Sequence, residues 1–345
     1  MGGRTNSVRN SKELEVRVLV TGGNGFLGRY IVEQLIERGD QVRNLSRRTA
    51  PELADLGVEN HIGDLQNPAT TDAACRDMEA VFHVAGVAGI WGPWKYYYGI
   101  NTLGTRNLLR SGQLAGVKRF VYTSSPSVTF DGTDQINVDE SAPYPSRWLC
   151  HYPHSKALAE QEVLASNGRH DMFTCSLRPH LIWGPRDGHL VPRLVDRARR
   201  GRLRRVGDGS NLVDMIYVEN AATAHLRACD ALRLGSAVSG KAYFLSQGEP
   251  VGCWQWIDEL LAQVDLGPVT RSISKRTAWR LGHSLELAYR LLNLSGEPPM
   301  TRFLASQLAT SHHFNISAAR RDFGFVPEIT TKEGMRRLSQ WWDLG

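Results

Sequence analysis

The sequence predicts an α/β protein: a doubly wound parallel sheet, followed by a smaller, mostly helical region. Three observations carry this. Short apolar runs alternate with helical patterns from residue 16 to about 178, an order that calls for right-handed crossovers between parallel strands. A glycine-rich turn sits directly between the first apolar run and the first helical stretch. After Pro179 turns become denser and helical periods dominate.

The elements follow in order. Candidate strands fall at 16–20, 41–45, 58–62, 80–84, 118–123 and 174–178, with helices between them at 26–38, 69–77, 102–115 and 152–167. Past Pro179, the turns Trp183-Gly184-Pro185, Gly207-Asp208-Gly209 and Gly248-Glu249-Pro250 separate helices at about 189–200, 219–232, 252–264, 277–294 and 332–343. A run near 213–218 is a candidate to return to the sheet.

Residues 21–28 read Thr-Gly-Gly-Asn-Gly-Phe-Leu-Gly. Gly22 and Gly25 permit a tight turn and close approach of a diphosphate, and Gly28 permits close packing of helix on strand. The opening of the helix at Phe26 and Leu27 offers free N–H groups and the positive end of its dipole to phosphate. The first half therefore reads as a Rossmann-type dinucleotide-binding domain over 14–180, behind a disordered polar tail over 1–13 and ahead of a substrate-binding region over 181–345. The second strand ends in Ser46-Arg47-Arg48, with no carboxylate for a ribose 2′-hydroxyl. A hydroxyl and two guanidinium groups suit a 2′-phosphate, so the expected cofactor is NADP(H), with NAD(H) second. Asp64 and Leu65, after the third strand, are candidate adenine contacts. Ala85 and Pro179, after later strands, complete the expected cofactor set.

Tyr152-Pro153-His154-Ser155-Lys156 places a tyrosine and a lysine four residues apart, on one face of a helix. Pro153 fits only the first turn, so Tyr152 stands at the helix start. An ammonium beside a phenol favours the phenolate and lowers its pKa. A hydroxyl at the carboxyl end of a parallel strand borders the ligand crevice. Ser125 is the choice for orienting the substrate oxygen, with Ser124 and Ser127 as alternatives.

Composition narrows the partners. The chain has 345 residues and a formal net charge of +6, with pI about 9.1. Much of the excess is the run Arg193, Arg197, Arg199, Arg200, Arg202, Arg204 and Arg205. It reads as a solvated helix end, with an anionic partner as the alternative. No aromatic platform is interleaved with it, which speaks against nucleic acid. The cysteines, Cys75, Cys150, Cys175, Cys229 and Cys253, have neither metal-ligand nor CxxC spacing, so no metal is expected and buried thiols suit a reducing cytoplasm. No apolar run is long enough for a transmembrane helix. The amphipathic stretch 277–294 is expected to cover the core or the substrate pocket, with a peripheral membrane contact as the alternative.

With these motifs quoted, the chain resembles the extended short-chain dehydrogenase/reductases, through Thr21-Gly22-x-x-Gly25-x-x-Gly28, Tyr152-x-x-x-Lys156, Arg178-Pro179 and Trp183-Gly184-Pro185. Asn101-x-x-Gly104-Thr105-x-Asn107 and Phe323-Gly324-Phe325-x-Pro327 extend the likeness over nearly the whole chain. Val121-Tyr122-Thr123-Ser124-Ser125 and the Trp-rich loop 89–98 resemble the 3β-hydroxysteroid dehydrogenase group. Leu177-Arg178-Pro179-x-Leu181-Ile182-Trp183 and Gly296-Glu297-Pro298-Pro299-x-Thr301-Arg302-Phe303-Leu304 are similar to the bacterial reductases of 2-alkyl-3-oxoalkanoates in long-chain olefin biosynthesis.

The resemblance implies Ser125, Tyr152 and Lys156 as a catalytic triad, Asn101 as an accessory residue, a homodimer through the helices near 95–115 and 152–167, and olefin-pathway enzymes as partners. It departs at Gly86, where many relatives have a second alanine, and at Ser46, where steroid-type members often carry an acid. The expected activity is interconversion of a ketone and a secondary alcohol on a small apolar substrate, a 2-alkyl-3-oxoalkanoate first and a 3β-hydroxysteroid second. The loop 89–98 holds five aromatics. They would wall an apolar pocket or plug the interface between the two regions. A nucleotide-sugar epimerase or dehydratase, and a non-catalytic NADP sensor, are the competing classes.

Overall fold

The structure is a computed structural model that describes residues 16–343. The predicted tail over 1–13 lies outside the described residues. Seven strands form one parallel sheet: β1 (Arg17–Thr21), β2 (Gln41–Ser46), β3 (Glu59–Ile62), β4 (Ala80–His83), β5 (Arg119–Thr123), β6 (Phe173–Pro179) and β7 (Ala242–Leu245). Their spatial order is β7-β6-β5-β4-β1-β2-β3. The order reverses between β1 and β4, and the crevice beyond the carboxyl ends of these strands is where such sheets take ligands.

Apolar side chains on both faces of the central strands explain the two flanking helical layers. On one face, Val18, Val20, Phe82 and Val121 pack with Ile31, Leu35, Ala221 and Ala224, from α1 (Phe26–Glu37) and the helix Val218–Ala231. On the other, Leu19, Val81, Phe120 and Tyr122 pack with Leu108, Leu109, Ala159 and Val163, from α2 (Gly104–Ala115) and α3 (His151–Ala165). A third core joins Trp183, Tyr217, Trp254, Trp256 and Leu260 in the C-terminal half.

Two differences from expectation concern the second half. The run near 213–218 does not join the main sheet. Its pieces Leu212–Val213 and Ile216–Tyr217 pair within small side sheets. The strand that returns is β7, in register with β6 from Ala242↔Ser176 to Leu245↔Pro179. Four residues between turns carry too short a period to be read in advance. The arginine run behaves as a solvated face: Arg193 pairs with Glu297, Arg200 with Asp196 and Arg205 with Asp258. All five cysteines are free thiols, with Cys150 alone partly exposed.

Candidate active site

The glycine turn builds its cradle from close backbone approach. Gly22 has φ +72, a left-handed conformation in which a side chain is strained. A Cβ on Gly22 would lie 2.9 Å from the Cα of Ala85, and one on Gly28 would overlap the carbonyl oxygen of Gly22. Gly25 caps α1 with no side-chain bond, and the first turn of α1 carries no acid. Its N–H groups therefore remain for an anion. This backbone fits the diphosphate of a nicotinamide dinucleotide.

The cleft measures about 760 Å³. The structure brings Gly22, Gly25, Phe26, Leu27 and Gly28 to its wall, with Ser46, Arg47 and Arg48 after β2 and Asp64 and Leu65 after β3. Ala85, Ser125, Tyr152, Lys156 and Pro179 line it from the other side. The register of the sheet aligns these groups: Thr21 pairs with His83, and Thr123 with Leu177.

Tyr152 and Lys156 stand in the first turns of α3. The Lys156 ammonium donates to the carbonyl of Thr123 and lies 4.4 Å over the ring of Tyr122. Burial pushes its pKa down to about 7, opposed by the carboxylate of Glu160 one turn along. Burial also raises the pKa of Tyr152, opposed by hydrogen bonding with Ser125. The expected lowering of the phenol by an adjacent ammonium is therefore not realised in this chain alone. Desolvation sets the direction of the shift, and Tyr152 is a phenol at neutral pH.

Ser125 and Ser127 have their hydroxyls 2.8 Å apart, and the backbone N–H of Ser127 donates to Ser125 Oγ at 3.3 Å. Ser125 and Ser124 both face the cleft, while Ser127 supports Ser125 from behind.

Several supporting residues take their positions only from the fold, Asn101 among them, which the resemblance had implied as an accessory residue. Asn101 lies in a π-helical turn, Tyr98–Leu103, where an extra residue in the turn re-aims a side chain. Its amide donates to the Val87 carbonyl and to Ser155 Oγ, each at 3.0 Å, and its oxygen accepts from Val87 N–H at 2.8 Å. It thus ties the loop after β4 to α3. A Cβ at Gly86 would lie 3.2 Å from Asn101 Oδ1 and 3.5 Å from Lys156 Nζ, so this position borders both side chains. His83 bridges Thr21 and Thr105 at 2.8 Å each, and burial lowers its pKa to about 3, so it is a neutral positioning group. Asp187 and His189 also line the cleft. Asp187 accepts from the N–H groups of His189 and Val191, fixing the start of the helix Leu190–Arg199. Neither showed a motif; both follow a Gly-Pro turn whose direction only the fold supplies.

The aromatic loop packs against the first turn of α3. Trp94 meets His151 and His154 at centroid distances of 5.6 and 4.7 Å, and Trp148 stacks on His154 at 5.1 Å. The ring of Tyr97 lies 6.5 Å from that of Tyr152. Among the described residues no group of His, Cys, Asp and Glu is arranged to hold a metal ion.

Residues 19–273 match the model of the 3-beta hydroxysteroid dehydrogenase/isomerase family. The chain belongs to that family. It is 48% identical over 326 residues to the 2-alkyl-3-oxoalkanoate reductase of Stenotrophomonas maltophilia, covering 94% of this chain and 98% of that one. It is 46% identical over 328 residues to the 2-alkyl-3-oxoalkanoate reductase of Shewanella oneidensis, covering 92% and 84%. Among solved structures, MoeE5 in complex with UDP-glucuronic acid and NAD is similar with a TM-score of 0.71 and 25% identity, over 95% of this chain and 99% of that one. With the fold, these matches make this family member an NAD(P)-binding oxidoreductase acting on a CH–OH/ketone pair.

The expected order of cofactors, NADP(H) ahead of NAD(H), is corrected by the NAD held in that neighbour. The side chains explain why the expectation fails. Ser46 donates its hydroxyl proton to the Arg48 carbonyl at 2.7 Å and accepts from Asn44 Nδ2 at 3.3 Å, so it closes its own turn. Arg47 and Arg48 are exposed, and no other side chain holds their guanidinium groups over the cleft among the described residues. The set read as a phosphate clamp is not assembled. Among the described residues, Asp64 brings a carboxylate to this side of the cleft, from the loop after β3 rather than from the end of β2.

Proposed function

We propose that this family member reduces a 2-alkyl-3-oxoalkanoate to the 3-hydroxy acid, with NAD(H) in the cleft and Ser125, Tyr152 and Lys156 as its catalytic residues. The observation that carries the substrate is the 48% identity to a 2-alkyl-3-oxoalkanoate reductase along almost the full length of both chains. When bound, the nicotinamide supplies the hydride. Gly22, Gly25 and the first turn of α1 would hold its diphosphate.

The chain's own residues manage the oxygen. Tyr152, a phenol at neutral pH, donates its proton to the carbonyl oxygen as negative charge develops there. Ser125 hydrogen-bonds the same oxygen and stabilises that charge. Lys156, half-charged near pH 7, gives the cleft a cation whose proton is shared with the Thr123 carbonyl. Asn101 and Tyr122 hold α3 and the lysine in place. The aromatic loop Gly89–Tyr98 offers a wall for alkyl chains. We also read the protein as a cytoplasmic homodimer working beside enzymes that handle the acyl chain before and after reduction.

The test is absorbance at the reduced-nicotinamide band with NAD⁺ and either a 2-alkyl-3-hydroxyalkanoic acid or a 3β-hydroxysteroid. Turnover of the hydroxy acid, lost in Tyr152→Phe, is the expected result. Turnover of the steroid alone would move the substrate to sterols and leave the residue roles standing.

A further inference from the structure

We propose that Leu181 is a specificity-determining residue, held against the cleft by a strained turn so that an aliphatic substrate group is selected over a hydroxylated one. This rests on the reading of the cleft as the site of hydride transfer, and it gives the apolar substrate a named contact.

The backbone at Leu181 is unusual for its residue type. Among the described residues, eight other than glycine have positive φ, and Leu181, at φ +43, is the sole apolar one. Six of the eight are Asp, Asn or His, the types most often found in the left-handed region. Asn and Asp offset the clash between Cβ and the carbonyl oxygen with local hydrogen bonds. Leucine has no such bond to offer, so its presence there is destabilising.

The fold imposes the turn. Up to Pro179 the chain runs in the main sheet, where β6 pairs with β7. By Ile182 it has entered a side sheet, with Ile182 and Trp183 in register with Ile216 and Tyr217. Both neighbours of Leu181 are fixed. The His180 N–H donates to the Leu245 carbonyl at 3.0 Å, and His180 Nδ1 donates to the Asp214 carbonyl at 2.6 Å. One residue is left to change sheets, and a strained conformation persists where the surroundings over-determine it. Glycine or asparagine would make the same turn with less strain. What leucine adds is its side chain.

That side chain borders the site. Leu181 lines the cleft together with Ser125, Tyr152 and Pro179. Its other contacts are with the third core, which contains Trp183 and Tyr217. Val87, Ala88, Ile100, Ile182 and Leu190 line the same cleft, so Leu181 belongs to an aliphatic wall. An alkyl group beside the carbonyl that Tyr152 protonates gains apolar contact there. A substrate hydroxyl against the same wall gives up its water without a partner. Strain retained at a ligand-facing position points to function rather than to folding.

The experiment compares Leu181→Asn with Leu181→Met. It reads kcat/KM, with NAD⁺, for a 2-alkyl-3-hydroxyalkanoic acid and for its analogue carrying a hydroxyl on the 2-alkyl group. Thermal melting and the KM for NAD⁺ are measured alongside. Asparagine is close to leucine in size and accepts the left-handed turn, so Leu181→Asn should melt at the same temperature or higher. Its preference for the alkyl acid should fall by roughly tenfold, with the KM for NAD⁺ unchanged. Leu181→Met keeps an apolar chain and should keep the preference. Three results for Leu181→Asn would overturn the proposal: a preference that persists, a melting temperature that drops, which makes the leucine a packing residue, or an altered KM for NAD⁺, which places it against the cofactor.

Failure of the substrate reading looks different. If the intact protein turns over only a 3β-hydroxysteroid, the steroid KM should rise roughly tenfold in Leu181→Asn and hold in Leu181→Met, and an unchanged KM in both would overturn the proposal. If it turns over neither, binding of cis-parinaric acid, a fluorescent fatty acid, is measured in the presence of NAD⁺. Binding roughly tenfold weaker in Leu181→Asn supports the proposal, and equal binding overturns it.

Discussion

The two ends of the cleft are built by different rules. At the dinucleotide end the groups are set by backbone: the register of seven parallel strands, a left-handed Gly22, and a helix start with unpaired N–H groups. At the end beside Tyr152, which we read as the substrate end, the surroundings are set by side chains on loops, with Trp91 against Tyr289, Trp94 and Trp148 against His154, and Tyr97 near Tyr152. Backbone pairing is cooperative and tolerates little change. Ring contacts are individually small and can be rebuilt. The first end therefore serves the chemistry common to the family, and the second end can vary with substrate. Tyr152 belongs to both, since its helix is packed on the sheet and its ring faces the aromatic loop.

The largest effect should come from that shared residue. Tyr152→Phe removes the proton donor and keeps the ring, so kcat should fall by about 10² to 10⁴ for every substrate alike. Binding of the dinucleotide, read by fluorescence quenching, should persist. A fall confined to one substrate would mean that Tyr152 acts through the pocket wall rather than as the acid.

Next is the ion pair beneath α3. Glu160 and Arg178 are 0% and 3% exposed at their side chains and meet at 2.6 Å, with Ser176 and Tyr144 also donating to Glu160. Glu160→Gln leaves Arg178 buried without a counter-charge, which costs about 3–5 kcal/mol, measurable by urea unfolding. It also removes the attraction that keeps Lys156 protonated, so the pKa of Lys156 should fall further. A loss under 1 kcal/mol would show that water reaches this pair.

Lys156 gives a smaller effect with a defined pH window. Its pKa is 10.5 in a solvated chain and about 7 in the fold. Between these values the unfolded chain holds a proton that the folded chain lacks, so stability rises with pH from 7 to 10.5. Below 7 the cost of the buried charge is complete. Lys156→Met should raise the unfolding free energy most at or below pH 7, by an amount on the order of a few kcal/mol, and the gain should vanish toward pH 10.5. A gain independent of pH would assign the effect to packing.

The same division decides what could be read from the sequence. At the dinucleotide end, turn and period are local. Expected strands at 41–45 and 174–178 are found at Gln41–Ser46 and Phe173–Pro179, and the glycine turn stands where its spacing puts it. Tyr152 and Lys156 share a face because four residues make about one helical turn. What was not legible depends on distant partners. Asn101 was implied by the resemblance alone, and its partners Val87 and Ser155 come to it only through a π turn. β7 is recognisable as a strand only beside β6. Ser46-Arg47-Arg48 showed charge but not that Ser46 would spend its hydroxyl on the Arg48 carbonyl.

The smallest expected effect separates two roles for the aromatic loop. Trp91 packs against Tyr289 and Arg290 of the helix α4 (Lys275–Leu291), and its carbonyl accepts from the Tyr97 hydroxyl at 2.9 Å. Trp91→Ala deletes the ring and keeps that backbone bond, so the loop should hold its path. If the ring walls the space for alkyl chains, KM for a long-chain hydroxy acid should rise by roughly tenfold, the scale of a lost apolar contact, while a short-chain acid is turned over as before. If the ring only plugs the seam between the loop and α4, both substrates should be affected equally and the melting temperature should drop instead. A chain-length-dependent KM with an unchanged melt would place selectivity at the loop-built end of the cleft, and equal losses would remove it from there.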